Sequence, residues 1–530
     1  MGSTPCKLMV LLQLVVGLHA TTMPDAAGGG RFTVAALPSG GWTLVDRAGA
    51  PTFAIALNHL ASPTYYDAIP GANGLAPCRA NDTLCRRYDL LGTKYGGSWS
   101  AATADFVAQT ASWGFNAAGY EYAPSATAPG WPYLPDLFLT NASHIFRNNH
   151  NAAIAGSNSP ATVALSGGPP AAGAQGMFPD VFEPAWNASA DARVAAWVAR
   201  DQHVGAARVR ADVLGYFFED QALWDVGAAR AGAAPAPAAG DATDWAAAMR
   251  AKPPSGAGKA AYVGWLRQRY GGGGAPAGNA TAALAAARAV YGFPPAVATW
   301  ADVRRWDFGG LNATSAAVLA DDGAFLGVVA ERLFGLGAAA VRRHDRGALV
   351  FGPRFLSHDA PAPVLAAAGR HFDAVSVQPS DFSPTTAADV AAGVALLVDI
   401  SEKAGLPVFV ADVSTHFREE PLPGVTPCGP VSAGHPAGAG CVANQSAAGA
   451  MYGAYIDALR QRPEVIGFAH CQYINRVVTS GKRGLHLKQG LLDFGGAPHA
   501  ELVAAITAAN RVSARPLPSE LASLMRDEKR

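Results

Sequence analysis

The stretch LGYFFEDQALWD, residues 214–225, is apolar or glycine from Leu214 to Phe218 and then opens into Glu219, Asp220, Gln221, Trp224 and Asp225. A run with no polar alternation predicts a strand buried on both faces, as in a parallel sheet. The same shape recurs in FAIALNHL (53–60), ALVFGPRF (348–355), FDAVSVQPSDF (372–382), LPVFVADVSTHF (406–417) and VIGFAHCQYIN (465–475). Between these runs lie segments with apolar residues at helical spacing: FVAQTASWGFN (106–116), ADARVAAWVARDQHV (190–204), FLGVVAERLFGLGAAAVRRHD (325–345), AADVAAGVALLVDISEKAG (387–405) and AAGAMYGAYIDALRQRP (447–463). Strands alternating with helices over this length predict an α/β fold with a parallel sheet of about eight strands. A closed (β/α)8 TIM barrel is the first choice and a doubly wound open sheet the runner-up. The open sheet is disfavoured because no G-x-G-x-x-G or Walker-type loop follows any strand.

Departures from the pattern mark the organisation. RFTVAALPSGGWTLVDRAGAP (31–51) predicts two short strands and a turn ahead of the first sheet strand. Residues 226–300, after the fourth strand, are rich in Ala, Gly and Pro and read as an insertion mixing helix with flexible chain. The polar end, 515–530, reads as a tail. At the N-terminus, a single lysine precedes an apolar run from Leu8 to Leu18 and then His19-Ala20. This is the form of a secretory signal peptide over residues 1–20, and the run is too short to span a bilayer. The expected domains are thus a signal (1–20), one barrel domain (21–514) and the tail.

Composition agrees with a large secreted domain. The 530 residues are 50% hydrophobic and 15% charged, with 40 basic and 40 acidic side chains. No basic stripe is present to hold nucleic acid, and no membrane span is expected. Six Asn-x-Ser/Thr sequons, at Asn81, Asn141, Asn187, Asn279, Asn312 and Asn444, predict N-glycans if the chain is secreted. Two close cysteine pairs read as disulfides, Cys78–Cys85 and Cys428–Cys441, leaving Cys471 in an apolar strand as a buried thiol.

Candidate chemistry gathers at strand ends, because parallel α/β barrels present their sites at the C-terminal ends of the strands. Asp412 ends the run VFVA. Glu219, Asp220 and Gln221 end the 214–218 run, with Trp224 as a candidate wall on which a sugar stacks. Asn58, His59, Asn116, Tyr120, Glu121, Gln378 and Asp381 also close predicted strands, as do His416 and His470. Two histidines and Asp412 are a weak metal signal, so neither metal nor cofactor is expected.

Taken in order, NHL, WGFNAAG, FPDVFEPAW, LGYFFEDQALW, FDAVSVQPSDF, LPVFVADVSTHF and IGFAHCQYIN…GLLDFGG resemble the agarase-like glycoside hydrolases of clan A, across roughly residues 40–510. The resemblance implies a (β/α)8 retaining enzyme acting on a poly- or oligosaccharide. In that family the fourth strand ends in Asn-Glu, the Glu being the acid/base; Asp220 and Gln221 stand there in this chain. The seventh strand ends in Gly-Glu, the Glu being the nucleophile; here the pair is Ala411-Asp412. On the eighth strand an aromatic pair and a later Asp are replaced by His470-Cys471 and Asn475. Glycoside cleavage needs two carboxyl groups about 5 Å apart for retention and further apart for inversion, and an amide such as Gln221 donates no proton. Three readings follow: Glu219 or Asp220 serves as the acid beside Asp412, the leaving group needs no acid, or the cleft binds sugar without cleaving it.

Overall fold

Strands β1 (Thr33–Ala36), β2 (Trp42–Val45) and β3 (Pro51–Thr52) form a small antiparallel sheet ahead of β4 (Ala54–Leu57). Helix α1 (Trp99–Ser112) leads to β5 (Ala117–Ala118), and α2 (Pro184–Gln202) to β6 (Tyr216–Phe217). Four helices follow: α3 (Trp245–Ala251), α4 (Ala257–Tyr270), α5 (Ala280–Tyr291) and α6 (Trp300–Arg305). The long α7 (Ala316–His344) precedes β7 (Val350–Gly352) and β8 (Arg354–Leu356). The chain then alternates through α8 (Ala362–His371), β9 (Val375–Gln378), α9 (Ala387–Ala404), β10 (Val408–Val413), β11 (His416–Phe417), β12 (Cys441–Val442), α10 (Gln445–Arg460) and β13 (Val465–His470). It closes with β14 (Arg476–Val478), β15 (Leu485–Leu487) and α11 (Ala500–Val512). This computed structural model describes residues 30–38, 40–60, 94–120, 122, 130–140, 178–202, 212–219, 222, 224, 244–271, 280–308, 311, 315–356, 360–379, 384–417, 441–478, 485–487, 490–493 and 496–512.

Six strands pair in parallel in the order β5-β4-β13-β10-β9-β8. Beyond them β6 pairs in parallel with β7, and single parallel bridges join Ala118 to Tyr133, Tyr133 to Val213, Asp136 to Phe217 and Ala222 to Phe355. The apolar runs of the sequence are these strands, and their two sides are both covered. Ala54, Ala56, Ala117, Leu134, Phe217, Phe351, Phe409 and Ala411 meet in one buried cluster. Ile55, Leu57, Tyr216, Phe218, Val375, Val377, Val408 and Val410 pack into the larger cluster shared with the helices. Gly352, at φ +67°, turns the chain between β7, which pairs with β6, and β8, which pairs with β9. A Cβ there would stand 2.1 Å from the Phe372 ring, so glycine is required.

The helices follow their sequence signals. Thr299/Asp302 and Thr386/Asp389 form capping boxes at the starts of α6 and α9, and Gly405 in the left-handed conformation ends α9. Within the stretch read as an insertion mixing helix with flexible chain, residues 245–251, 257–270 and 280–291 are helical. They are tied to α7 by buried polar contacts: Arg250 and Tyr262 bond Asp322, and Tyr270 and Tyr291 donate to Asp321 at 2.5 and 3.1 Å. Among the described residues α7 alone is long and apolar enough to cross a membrane. More than half of its apolar stretch is buried, on the stripe Val318, Phe325, Val329, Leu333, Phe334 and Val341 that faces the fold.

The signal segment, the tail, Cys78, Cys85 and Cys428, and the sequons at Asn81, Asn141, Asn279 and Asn312 lie outside the described residues. Cys441 opens β12, and Cys471 is a buried thiol. Asn187 is half-buried in α2. Asn444 is exposed at the N-cap of α10, its Oδ1 accepting from the Ala447 amide at 2.9 Å.

Candidate functional site

Asp412 sits near the C-terminal end of β10, half-buried between the inward Ala411 and the outward Val413. Side chains from two other strand ends converge on one of its oxygens. The Tyr120 hydroxyl donates to Oδ2 at 2.9 Å, and Gln378 Nε2, at the last position of β9, donates to the same atom at 2.9 Å. Gln378 Oε1 is buried without a hydrogen bond among the described residues. Hydrogen bonds to the charged form stabilise a carboxylate and fix its direction.

Asn58, directly after β4, is the wedge that brings these ends together. It is fully buried, its Nδ2 donating to the Ala411 carbonyl at 2.9 Å and its Oδ1 accepting from the Tyr120 amide at 3.2 Å. The wedge fits because residue 119 is glycine: a Cβ there would lie 1.7 Å from Asn58 Oδ1. Next to it, His59 adopts φ 55°, a left-handed conformation disfavoured for a residue with a Cβ. Its amide donates to the Tyr120 carbonyl at 3.1 Å, and its ring meets the Tyr120 ring edge-on at 4.7 Å. Strain held at a strand end in this way is common at binding sites. Tyr120 also carries the Arg354 guanidinium, 3.4 Å from its ring centroid, and Arg354 in turn donates to Asp136 Oδ2 at 2.8 Å. Arg354 and Asp136 form a buried ion pair. Arg354 is the residue that strand patterning missed; the contact depends on which strands become neighbours across the fold, and no local signal reports that.

The structure places the other candidates differently. Glu219 is buried beside a small cavity lined by Leu139, Thr140, Phe218, Trp224, Trp245, Phe334 and Pro353, against the helix layer. Its Oε2 accepts from both the amide and the hydroxyl of Thr140 at 2.7 Å, while Oε1 is buried without a hydrogen bond among the described residues. Burial pushes its carboxyl well above the ordinary carboxylate range; the Thr140 hydrogen bonds oppose this, nearby Asp136 adds to it, and Arg193 counters it. Neither Tyr120 nor Gln378, which donate to Asp412, lines that cavity. Asp220, Gln221, Glu121 and Asp381 lie outside the described residues.

Trp224 is core rather than a wall open to sugar. It is 1% exposed, stacked on Trp245 at 5.0 Å and edge-on to Phe334 at 5.1 Å. Asn116 stands at the opposite end of the sheet from Asp412. It precedes the two-residue β5, accepts from the Ile55 amide at 2.8 Å and donates to the Phe53 carbonyl at 3.0 Å, so it fastens the beginnings of two strands. His470 is buried, its ring edge-on to Tyr452 of α10 at 5.6 Å, and so is aimed at the helix layer. His416 is half-buried, its Nε2 3.3 Å from the Ser414 hydroxyl, on the short strand β11 that follows Asp412. Asn475 bonds the Gly490 amide and His499, closing the segment after β13. Among the described residues no three His, Cys, Asp or Glu side chains gather as a set of metal ligands.

Comparison with solved structures identifies the class of fold. The chain superposes on an exo-beta-agarase with TM-score 0.61 at 16% identity, over 91% of this chain and 65% of that one. It superposes on PfGH50B with TM-score 0.60 at 17% identity, over 92% and 66%, and on the agarase AgWH50C with TM-score 0.59 at 18%, over 93% and 66%. The chain therefore shares the α/β fold of these glycoside hydrolases, and spans just under two thirds of their length. No protein-family model matches the chain, and no curated protein matches it by sequence.

Proposed function

We propose that the chain is a secreted, glycoside hydrolase-like protein on a closed (β/α)8 barrel, acting on a poly- or oligosaccharide with Asp412 as its central carboxylate. The observation that carries this reading is the Asp412 carboxylate at a C-terminal strand end, engaged on one oxygen by Tyr120 and Gln378. Sites of parallel α/β barrels lie at that end. Barrel closure is supported by the strand pairings, which can be followed from β4 through β5, Tyr133 and β6, by the single Ala222–Phe355 bridge to β8, and on through β9, β10 and β13 back to β4.

In this reading Asp412 is the nucleophile or the carboxylate that supports charge at the anomeric carbon. Asn58, His59, Tyr120, Gln378 and His416 line or build its surroundings. Glu219, occupied by Thr140 within its cavity, leaves Asp220 as the strand-end acid available to partner Asp412. An aspartate reaches about 1.3–1.5 Å less far than a glutamate, which widens the separation of the two carboxyls and favours a water-mediated, inverting displacement. The test is release of reducing ends from a polysaccharide panel by the purified protein and by Asp412→Asn. Turnover lost in the variant with saccharide binding kept supports the reading; equal turnover refutes it.

A second reading, a cleft that binds sugar without cleaving it, is favoured by the amide Gln221 at the family's acid position and by the burial of Glu219. Under that reading the parent binds saccharide and releases nothing, and Gln221→Glu creates no activity; under the first, Gln221→Glu raises activity on unactivated glycosides. Secretion and modification are tested together by mass analysis of the secreted chain. It is expected to begin near Thr21, to carry N-glycans at the sequons, and to contain Cys78–Cys85 and Cys428–Cys441; an unmodified chain retaining residues 1–20 contradicts this.

A further inference from the structure

We infer that Arg354 is a positioning residue for the Asp412 carboxylate, acting through the ring of Tyr120; the inference rests on Asp412 being the site carboxylate. The guanidinium is fully buried, its central carbon is 3.4 Å from the Tyr120 ring centroid, and it is also 5.4 Å from the Phe217 ring. Its charge is balanced by Asp136, which accepts from the terminal nitrogen at 2.8 Å. Tyr120 in turn places its hydroxyl 2.9 Å from Asp412 Oδ2. The series Asp136, Arg354, Tyr120, Asp412 thus runs from the chain after β5, through β8, to the end of β10 as one set of contacts.

Two physical effects act along it. A planar cation stacked on an aromatic face draws on the ring's electron density, and the phenol O–H becomes a stronger donor to the carboxylate it faces. The stack also fixes the ring plane. The His59 ring, edge-on at 4.7 Å, is a second packing partner of Tyr120, whose hydroxyl is directed at Asp412. Arg354 is suited to this because its flat, delocalised charge both stacks and donates to a carboxylate; a lysine ammonium offers a point charge with no plane. A purely structural role, clamping the chain segment at Asp136 to β8, predicts a stability effect with no change at Asp412.

The two are separated by a signal read at Asp412 itself. In protein labelled with 13C at the aspartate carboxyls, the Asp412 asymmetric carboxylate stretch is isolated by infrared difference against Asp412→Asn. Tyr120→Phe, which keeps the stack and removes the hydroxyl, is expected to shift this band. Arg354→Lys is expected to shift it in the same direction, and to add no further shift when Tyr120 is already Phe. An Arg354→Lys band coinciding with the parent's overturns the inference, as does a shift that persists undiminished in the double variant, since the effect then bypasses the ring. Should Arg354→Lys fail to fold, Asp136→Asn loosens the anchor and leaves the guanidinium in place; a smaller shift of the same sign supports the inference and an unmoved band overturns it. The readout needs no turnover, so a protein that cleaves no glycoside refutes the proposed activity while leaving this result to stand or fall by itself.

Discussion

Two acids stand at the ends of two parallel-paired strands, β6 and β10, and the fold treats them in opposite ways. Asp412 is half-buried and takes its hydrogen bonds from side chains of other strand ends, Tyr120 and Gln378. Glu219 is sealed among Trp224, Trp245 and Phe334 and takes its bonds from the backbone and hydroxyl of one neighbouring residue, Thr140. The first arrangement holds a half-buried carboxylate with side chains from several elements. The second uses a carboxyl to hold the chain at 139–140 against β6. An acid at a strand end is therefore not in itself a site; what converges on it, and whether solvent reaches it, decide.

The largest expected effect is on Asp412. If the protein hydrolyses a glycoside, Asp412→Asn lowers kcat by about 10^3-fold or more, equivalent to roughly 4 kcal/mol of barrier, with saccharide affinity by calorimetry little changed. The matching substitution in the other region, Glu219→Gln, leaves turnover within a few-fold of the parent. If Glu219→Gln abolishes turnover and Asp412→Asn does not, the comparison is inverted.

Next in size is the buried pair beneath the site. Arg354→Met strips Asp136 of its partner in a place without solvent, and urea denaturation is expected to show a loss of about 3–5 kcal/mol. Replacing both, as Arg354→Met with Asp136→Leu, recovers much of that loss, because the cost lies in the unpaired charge. A single variant as stable as the parent contradicts the burial of the pair.

Glu219 gives a smaller effect with a definite sign. Its folded carboxyl is held well above the ordinary value of about 4.5 by burial. The folded chain therefore keeps this proton at pH values where the unfolded chain has lost it. The stability that Glu219 contributes is full below about pH 4.5 and declines as pH rises through the folded value. Glutamine keeps an oxygen for Thr140 and does not ionise. Denaturation curves at a series of pH values should then show Glu219→Gln gaining on the parent as pH rises above about 4.5; a gap that is constant with pH, or that closes, contradicts the burial. The smallest effect belongs to a control outside both regions: Asp302→Ala removes half of the α6 capping box and costs about 1 kcal/mol.

The sequence carried the parallel strands because a strand covered on both sides must be apolar along its length, as VFVA, FAIAL and VIGFA are. It carried Asp412, Tyr120 and Gln378 as strand-end residues for the same reason: each closes such a run. Asn116 shows where this reasoning stops. It lies beside a strand of two residues, too short for spacing to say which end it faces, and it sits at the beginning. Trp224 shows another limit, since its partner Trp245 comes from a helix in a stretch whose Ala, Gly and Pro content reads as a mixture of helix and flexible chain, with no signal of which residues pack into the core. The stack of Arg354 on Tyr120 joins residues more than two hundred positions apart, and only the folded chain sets them face to face.

The most direct measurement is a saccharide titration followed by 13C NMR in which the Asp412 and Glu219 carboxyl carbons, assigned with Asp412→Asn and Glu219→Gln, are observed in the same sample. The account predicts that a bound oligosaccharide moves the Asp412 resonance saturably and leaves the Glu219 resonance where it was. Movement at Glu219 with Asp412 unchanged, or no saturable change at Asp412 with any saccharide of the panel, contradicts it.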